Sequence, residues 1–211
     1  MDEVKLFKAL TAAVAAYAAL VGASLVWLAQ QPLVVFRGAV EGRVSLLAYH
    51  IVAFERPVEV AGFDSLRLPG LIILAYGAVL AGASIFVLLA SWNLVPVRVG
   101  AALETFVGTA LGSFPALAVI RGAATLVALE VSYLARDYTF RTNAGIVRVG
   151  RATAQVTVWG RILFGWPMSA ALAAVGVGAM LLLVFYWAVA AISVEESVIT
   201  PEGEDNHGGE G

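Results

Sequence analysis

The sequence contains no cysteine and only two histidines, His50 and His207. The lack of cysteine excludes disulfides, thiolate nucleophiles, cysteine-held iron–sulfur clusters and cysteine-ligated zinc. The two histidines lie in different segments, which excludes bis-histidine haem ligation inside a helix bundle and a histidine metal cluster. The G-x-S-x-G, P-loop and HExxH patterns are also missing. We therefore expect a protein that is not an enzyme and that holds no cofactor and no metal.

Charged residues are scarce, at 13% of 211 residues, whereas hydrophobic residues make up 61% and the mean hydropathy is +0.89. Soluble domains have about 25% charged and about 45–50% apolar residues. Three runs, residues 9–29, 68–92 and 165–192, contain no Asp, Glu, Lys, Arg or His. Each run has at least the ~20 apolar residues that cross a bilayer. The sequence therefore predicts a membrane-spanning helix at each of them.

A fourth apolar stretch, residues 94–135, is too long for one span and carries several charges. Ser113-Phe114-Pro115 has the form of a helix start, because serine caps helices and proline near the first helical position needs no amide donor. This break predicts two helices, over residues 96–112 and 115–136, joined by a reversal of the chain. The shorter helix either crosses the bilayer, re-enters it or lies tilted, so four or five helices are embedded.

Glu104 and Arg121 form the sharpest candidate site. Glu104 precedes Ser113 by nine residues and Arg121 follows it by eight, so a hairpin at Ser113 would place both charges at similar depth. An isolated charge there costs a few kcal/mol or more, and pairing is the expected resolution. The pair predicts either a salt bridge that fixes the helices or contacts a partner subunit, or an ion or proton pathway, or a substrate site at a broken helix.

The two inter-helix loops, residues 31–67 and 137–164, have the pattern of short β-strands. Val40 and Val44 alternate with polar residues in the first loop, and Asn143-Ala144-Gly145 supplies a turn in the second. A lone hairpin is marginal in water, so the loops would be more stable if they paired into one sheet on the same side of the membrane. With four spans both loops are cytoplasmic, and with five the first loop lies outside.

Eleven of the 13 basic residues are arginine, a bias that, with few Asn, Gln and Met, favours a thermophilic, archaeal source. The second loop has the strongest positive excess and is therefore predicted to be cytoplasmic. Its arginines predict an interface with anionic lipid headgroups or a docking surface for a protein partner, and no nucleic acid is expected. Lipid is favoured, because a basic residue near an anionic surface gains about 1 kcal/mol. The arginines are Arg136, Arg141, Arg148, Arg151 and Arg161.

These observations predict an all-α integral membrane protein of the cell membrane, a bundle of four or five embedded helices with small β-hairpin or meander elements in its two loops. A single polytopic domain covers residues 1–194, and the acidic residues 195–211 form a disordered tail outside the cell. The predicted helices cover residues 7–30, 68–92, 96–112, 115–136 and 165–193.

We expect a non-enzymatic accessory or scaffold subunit of a larger membrane complex. Its partners would be membrane lipids and either other membrane subunits or copies of itself. The alternative is a small channel or secondary transporter that uses Glu104 and Arg121.

Overall fold

In the computed structural model the described residues are 3–92, 94–95 and 98–199, with side chains described for 5–92, 94–95 and 98–188. The helices are α1 (Glu3–Leu28), α2 (Ala61–Asp64), α3 (Arg67–Ser91), α4 (Val99–Leu111), α5 (Ser113–Leu134), α6 (Val158–Phe164) and α7 (Trp166–Ile199). The strands are β1 (Val34–Gly38), β2 (Val40–Val44), β3 (Tyr49–Ala53), β4 (Arg56–Pro57), β5 (Asp137–Thr142) and β6 (Gly145–Val156). Four helical stretches are long and apolar enough to cross a membrane.

Helices α1 and α3 pack side by side at a point where both carry glycine. A Cβ atom on Gly22 would lie 2.6 Å from the carbonyl oxygen of Gly77, and one on Gly77 would lie 2.8 Å from that of Gly22. No side chain fits between the two backbones there. Glycine lets apolar helices approach closely enough for dispersion contacts to hold them together.

Helices α4 and α5 form one bent rod, not the expected hairpin at Ser113. Gly112 joins them in a helical conformation, with φ −60° and ψ −11°. Its carbonyl oxygen accepts a hydrogen bond from the Ala116 N–H at 3.0 Å, so helical bonding continues past the junction. The break lies where the sequence predicts it, but the predicted reversal is wrong. Pro115 sits in the first turn of α5, a position that suits a bend within a continuing helix as well as a helix start.

Strands from both loops form one six-stranded antiparallel sheet, in the order β4-β3-β2-β1-β6-β5. Strand β1 of the first loop pairs with β6 of the second, with Val34 opposite Val156 and Gly38 opposite Ala152. The two loops therefore lie at the same end of the helices. The fold is mostly helical but not all-α, because hydrogen bonds between the loops build a shared sheet larger than the small elements expected.

The sheet curls around a small apolar core of its own. Val34 and Phe36 of β1 and Val44 of β2 are buried. Phe63 of α2 lies against them, with its ring centroid 6.4 Å from that of Phe36 and 5.7 Å from that of Tyr49. Burying a side chain of this size stabilises a fold by about 1.5–3 kcal/mol. Helix α2 therefore fills the concave side of the sheet with Phe63.

Helix α5 links the other helices to the sheet. Its second half packs against α2, where the Glu130 carboxylate occupies the space that a Cβ atom on Gly62 would need. Just beyond α5, the Arg136 carbonyl oxygen accepts a hydrogen bond from the Ala152 N–H of β6 at 2.9 Å. At the other end of the chain, α7 continues to Ile199, so residues 195–199 of the expected disordered tail are helical. The rest of that tail, residues 200–211, lies outside the described residues.

Candidate docking surface

Arg121 binds the junction between α6 and α7. Its guanidinium donates hydrogen bonds to the Ser169 hydroxyl at 2.8 Å and to the Phe164 carbonyl oxygen at 3.5 Å. The junction exists because Gly165 leaves the helical conformation, with φ −92° and ψ −170°. Arg121 thus ties the middle of α5 to the start of α7.

Glu104 is not near Arg121. It lies exposed on α4, 17 residues earlier on the same rod, which is about 25 Å at 1.5 Å per residue. Among the residues whose side chains are described, Glu104 forms no ion pair. The expected ion pair depended on the reversal at Ser113, and the bent rod removes the geometry that would have formed it.

Strands β5 and β6 form a two-stranded ribbon that extends beyond the rest of the sheet. Strand β1 pairs only with residues 152–156 of β6, whereas β5 pairs with residues 145–151. The ribbon therefore consists of residues 137–151, and no strand of the described ranges lies beside its β6 half. Nearly all of its residues are exposed.

One face of the ribbon is basic. Asp137 lies on it opposite Arg151, and its carboxylate contacts Arg148 at 2.8 Å and Arg151 at 3.7 Å. Arg141 lies two pleats further along β5 on the same face. The side chains of Arg148 and Arg151 remain 60% and 69% exposed, so pairing with one aspartate leaves the face with a positive excess. Three of the five arginines singled out from the sequence meet here.

The opposite face of the ribbon is apolar and aromatic. Tyr138 and Phe140 lie on it, and Phe140 pairs with Val147 of β6. Phe54, from the turn between β3 and β4, packs edge-on against both rings, with centroid distances of 5.4 and 6.5 Å. Phe54 has a positive φ of 51°, and nothing in the sequence marks it as a neighbour of β5. Phe140 and Val147 stay about half exposed.

The two edges of the sheet differ. Strand β4 is two residues long and includes Pro57, which has no N–H to donate, and both features block further strand pairing. Strand β5 is six residues long and contains no proline. Within the described part of the chain only β6 forms backbone hydrogen bonds with β5. The outer edge of β5 is therefore open.

The base of the ribbon lies next to the end of α5 and away from α6. Along β6, Arg151 is five residues from Val156, about 17 Å at 3.3–3.4 Å per residue. Along α5, Leu134 is 13 residues beyond Arg121, about 20 Å at 1.5 Å per residue. The strand path begins just before α6, and the helix path begins at Arg121, which contacts the last residue of α6. Both paths reach the hydrogen bond between Ala152 and Arg136.

The two remaining arginines of the predicted interface lie elsewhere. The Arg136 guanidinium stacks over the Tyr133 ring, 4.2 Å from its centroid, at the base of the ribbon. Arg161 lies on α6, next to the long helices. The five arginines of the predicted interface are therefore divided between the ribbon, its base and α6.

Other grooves lie outside the ribbon. One, about 690 Å³, opens between β3, α2 and the start of α3, and its lining includes His50, Glu59, Asp64 and Arg67. Another, about 360 Å³, is apolar and lies between α1, α6 and α7 beside Trp27 and Trp159. Among the described residues no three His, Asp or Glu side chains are placed to hold a metal ion.

The ribbon therefore combines a basic face, an aromatic face and an edge that makes no strand pairing with the described residues. No family model, no curated protein and no solved structure matches this chain.

Proposed function

We propose that this chain is an integral membrane protein with four spans. The outward surface of its long helices supports this, because only 22% to 33% of the residues in the most apolar part of each stretch are buried. Leu20, Val79 and Leu181, on three different helices, are 68%, 58% and 65% exposed. Soluble monomers rarely expose contiguous apolar patches beyond a few hundred Å². Hydrocarbon tails around the helices would cover this surface.

The ends of the proposed spans are marked by charges and tryptophans. The part of the rod between Arg98 and Arg121 carries Glu104 as its one charge. This part is about 33 Å long, close to the ~30 Å of bilayer hydrocarbon. Trp27 and Trp159 pack edge to face beside the sheet, with centroids 4.5 Å apart, and tryptophan prefers the membrane–water interface. On this assignment α5 leaves the bilayer at Arg121 and holds the sheet above it.

The charge distribution favours a cytoplasmic sheet. Ten of the 13 basic residues lie at the sheet end of the helices, and only Lys5, Lys8 and Arg98 lie at the other end. Cytoplasmic loops are enriched in Lys and Arg. Both chain termini would then be outside the cytoplasm.

The function we propose is that of a non-enzymatic scaffold or accessory subunit of a larger membrane complex. The observation that carries the proposal is the ribbon, an exposed basic and aromatic surface at the end of α5. Interfaces are enriched in arginine and aromatic residues relative to other surfaces. A partner subunit would bind at the ribbon, while the small-residue face around Gly22 would hold α1 against α3 within the membrane.

Purification from the native membrane in a mild detergent tests the scaffold role. We expect wild-type protein to elute with a second kind of subunit, and the variant Arg141→Glu/Arg148→Glu to stay in the membrane but lose it. Arg43→Glu is the matched control, because Arg43 is an exposed strand arginine in the middle of the sheet. Wild-type protein that elutes alone, or that keeps its partner in the charge-reversed variant, would contradict the proposal.

Single cysteines test the arrangement in the membrane, since the chain has none of its own. We expect an impermeant maleimide added to intact cells to leave Ser45→Cys and Thr142→Cys unmodified and to label Ser197→Cys. Labelling of Thr142→Cys from outside would reverse the orientation. Different results at positions 45 and 142 would argue against four spans.

The transport alternative keeps its own test, although Glu104 and Arg121 no longer share a site. It requires proteoliposomes of the pure protein to pass an ion or solute and Glu104→Gln to change the flux. Vesicles that are silent for several ions would count against it.

A further inference from the structure

We infer that the open edge of β5 binds an extended segment of a partner protein in which acidic and apolar residues alternate. This inference rests on the proposed docking function and specifies the partner's chemistry. The added segment would form a seventh strand of the sheet.

The backbone of β5 supplies the first argument. Strand β5 offers six residues without proline at the outer edge, long enough to pair with a strand of ordinary length. Proteins normally protect such edges with proline, short strands or a covering segment. The β4 edge is protected in this way by Pro57 and by its length, and within the described residues the β5 edge has neither a proline nor a paired strand. Peptides that add to a sheet edge use these free main-chain donors and acceptors.

The side chains of the ribbon supply the second argument. Successive residues of an added strand would face alternately the two sides of the ribbon. On one side its nearest neighbours would be Asp137, Thr139 and Arg141 of β5. The guanidinium groups of Arg148 and Arg151, on β6, reach across to the Asp137 carboxylate and leave that side with a positive excess. On the other side the neighbours would be Tyr138 and Phe140, whose rings also contact Phe54. A segment with acidic residues at every second position and apolar residues between them complements both sides.

Height favours a protein segment over a lipid surface. Measured along β6 and along α5, the base of the ribbon is about 17–20 Å from Val156 and from Arg121, where α5 leaves the proposed bilayer, whereas charge interactions in physiological salt decay over about 8 Å. Headgroups at the helix ends would therefore attract Arg141 and Arg148 only weakly. Glu195 and Glu196 lie at the opposite end of α7, on the far side of the proposed membrane.

The experiment uses the full-length protein in nanodiscs of neutral lipid and a labelled, capped eight-residue peptide of alternating Glu and Val. We expect it to bind at least tenfold more tightly than a peptide with four Glu followed by four Val. Arg141→Glu/Arg148→Glu should weaken binding at least fivefold, and Arg43→Glu should not. Equal binding of the two peptides would reduce the interaction to charge alone and overturn the inference.

N-methylation tests the backbone contribution. Methyl groups on alternate amides block one hydrogen-bonding edge of the peptide, and shifting them by one residue blocks the other. In strand addition one series abolishes binding and the other preserves it, because only one edge faces β5. Equal effects of the two series would exclude strand addition. Anionic lipid in place of the peptide is the last arm, and saturable vesicle binding lost in Arg141→Glu/Arg148→Glu would assign the ribbon to lipid.

Failure here and failure of the scaffold proposal are distinguishable. If a partner co-purifies through the ribbon but neither peptide binds, the scaffold proposal is supported and strand addition is excluded. A protein that elutes alone from its native membrane and binds no peptide would remove both.

Discussion

Gly22 and Gly82 each open a Gly-Ala-Ser triplet, yet their surroundings differ. A Cβ atom on Gly22 would lie 2.6 Å from the Gly77 carbonyl oxygen and 2.8 Å from the Ala81 nitrogen, whereas one on Gly82 would have nothing within 4 Å. We expect Gly22→Ala to lower stability by about 1–3 kcal/mol, because overpacking must push two backbones apart. Gly82→Ala should be neutral or slightly stabilising. Thermal unfolding in detergent measures both, and equal shifts would mean that α1 and α3 do not meet at Gly22.

The separation of Glu104 and Arg121 predicts independence. Residues more than about 7–10 Å apart with no shared partner have additive effects, within about 0.3–0.5 kcal/mol. We therefore expect the stability changes of Glu104→Gln and Arg121→Gln to sum to that of the double variant. Arg121→Gln alone should be destabilising, since it loses the bonds to Ser169 and Phe164. A coupling energy between the two substitutions above about 1 kcal/mol would instead support the hairpin with its ion pair.

At the level of elements, the pairing of β1 with β6 can be tested by a disulfide. Val35 lies opposite Gln155, and Thr153 is two residues away on the same strand. Directly opposed residues have Cα atoms about 4.5–5.5 Å apart, within the range that a disulfide spans. We expect mild oxidation to link Val35→Cys with Gln155→Cys, detected as a cross-linked peptide by mass spectrometry after proteolysis. The matched pair Val35→Cys and Thr153→Cys should link far less, and the reverse order would mean a shifted register.

The elements themselves were largely readable from the sequence. Apolar runs without charge marked α1, α3 and α7, and alternation with turn residues marked strands in both loops. The sequence predicts the break near Gly112 correctly, but the predicted reversal of the chain is wrong. Serine and proline mark the first turn of a helix whether the preceding chain reverses or continues. Local chemistry sets the break, while packing of α4 against α3 and α7 sets its direction.

The arrangement of the candidate docking surface is only partly predictable from the sequence. The arginine-rich segment was evident, but its division into two faces depends on the irregularity in pairing at Tyr138 and Thr139, where Val149 becomes an extra residue. The role of Phe54 depends on the curl of the sheet, which brings a turn near one edge onto the strand at the other edge. Long-range geometry of this kind leaves no local pattern in the sequence.

For the whole molecule, two exposed leucines on different helices should experience different solvents. Leu20 on α1 is 68% exposed and Leu129 on the second half of α5 is 61% exposed. If the bilayer ends at Arg121, Leu129 lies in water and Leu20 in hydrocarbon. We expect a charged maleimide to modify Leu129→Cys in nanodiscs and to leave Leu20→Cys unmodified, because the reactive thiolate forms only in water.

Both cysteines should react once the protein is unfolded in SDS, which controls for their intrinsic reactivity. Protection of both positions in nanodiscs would mean that the whole of α5 lies in the bilayer and that the ribbon lies at the headgroups. Rapid labelling of both would mean that no membrane surrounds α1.

The register of the sheet also sets an order in time. Val34 and Val156 lie opposite each other, yet 122 positions of the chain separate them, including α3 and the α4–α5 rod. At roughly 5–20 residues per second, the ribosome needs about 6–24 s to deliver β6 after β1. Until then β1 has β2 on one side and an unpaired edge on the other, while the ribosome makes α3 and the α4–α5 rod. The form of this molecule most open to wrong strand pairing is therefore the half-made one.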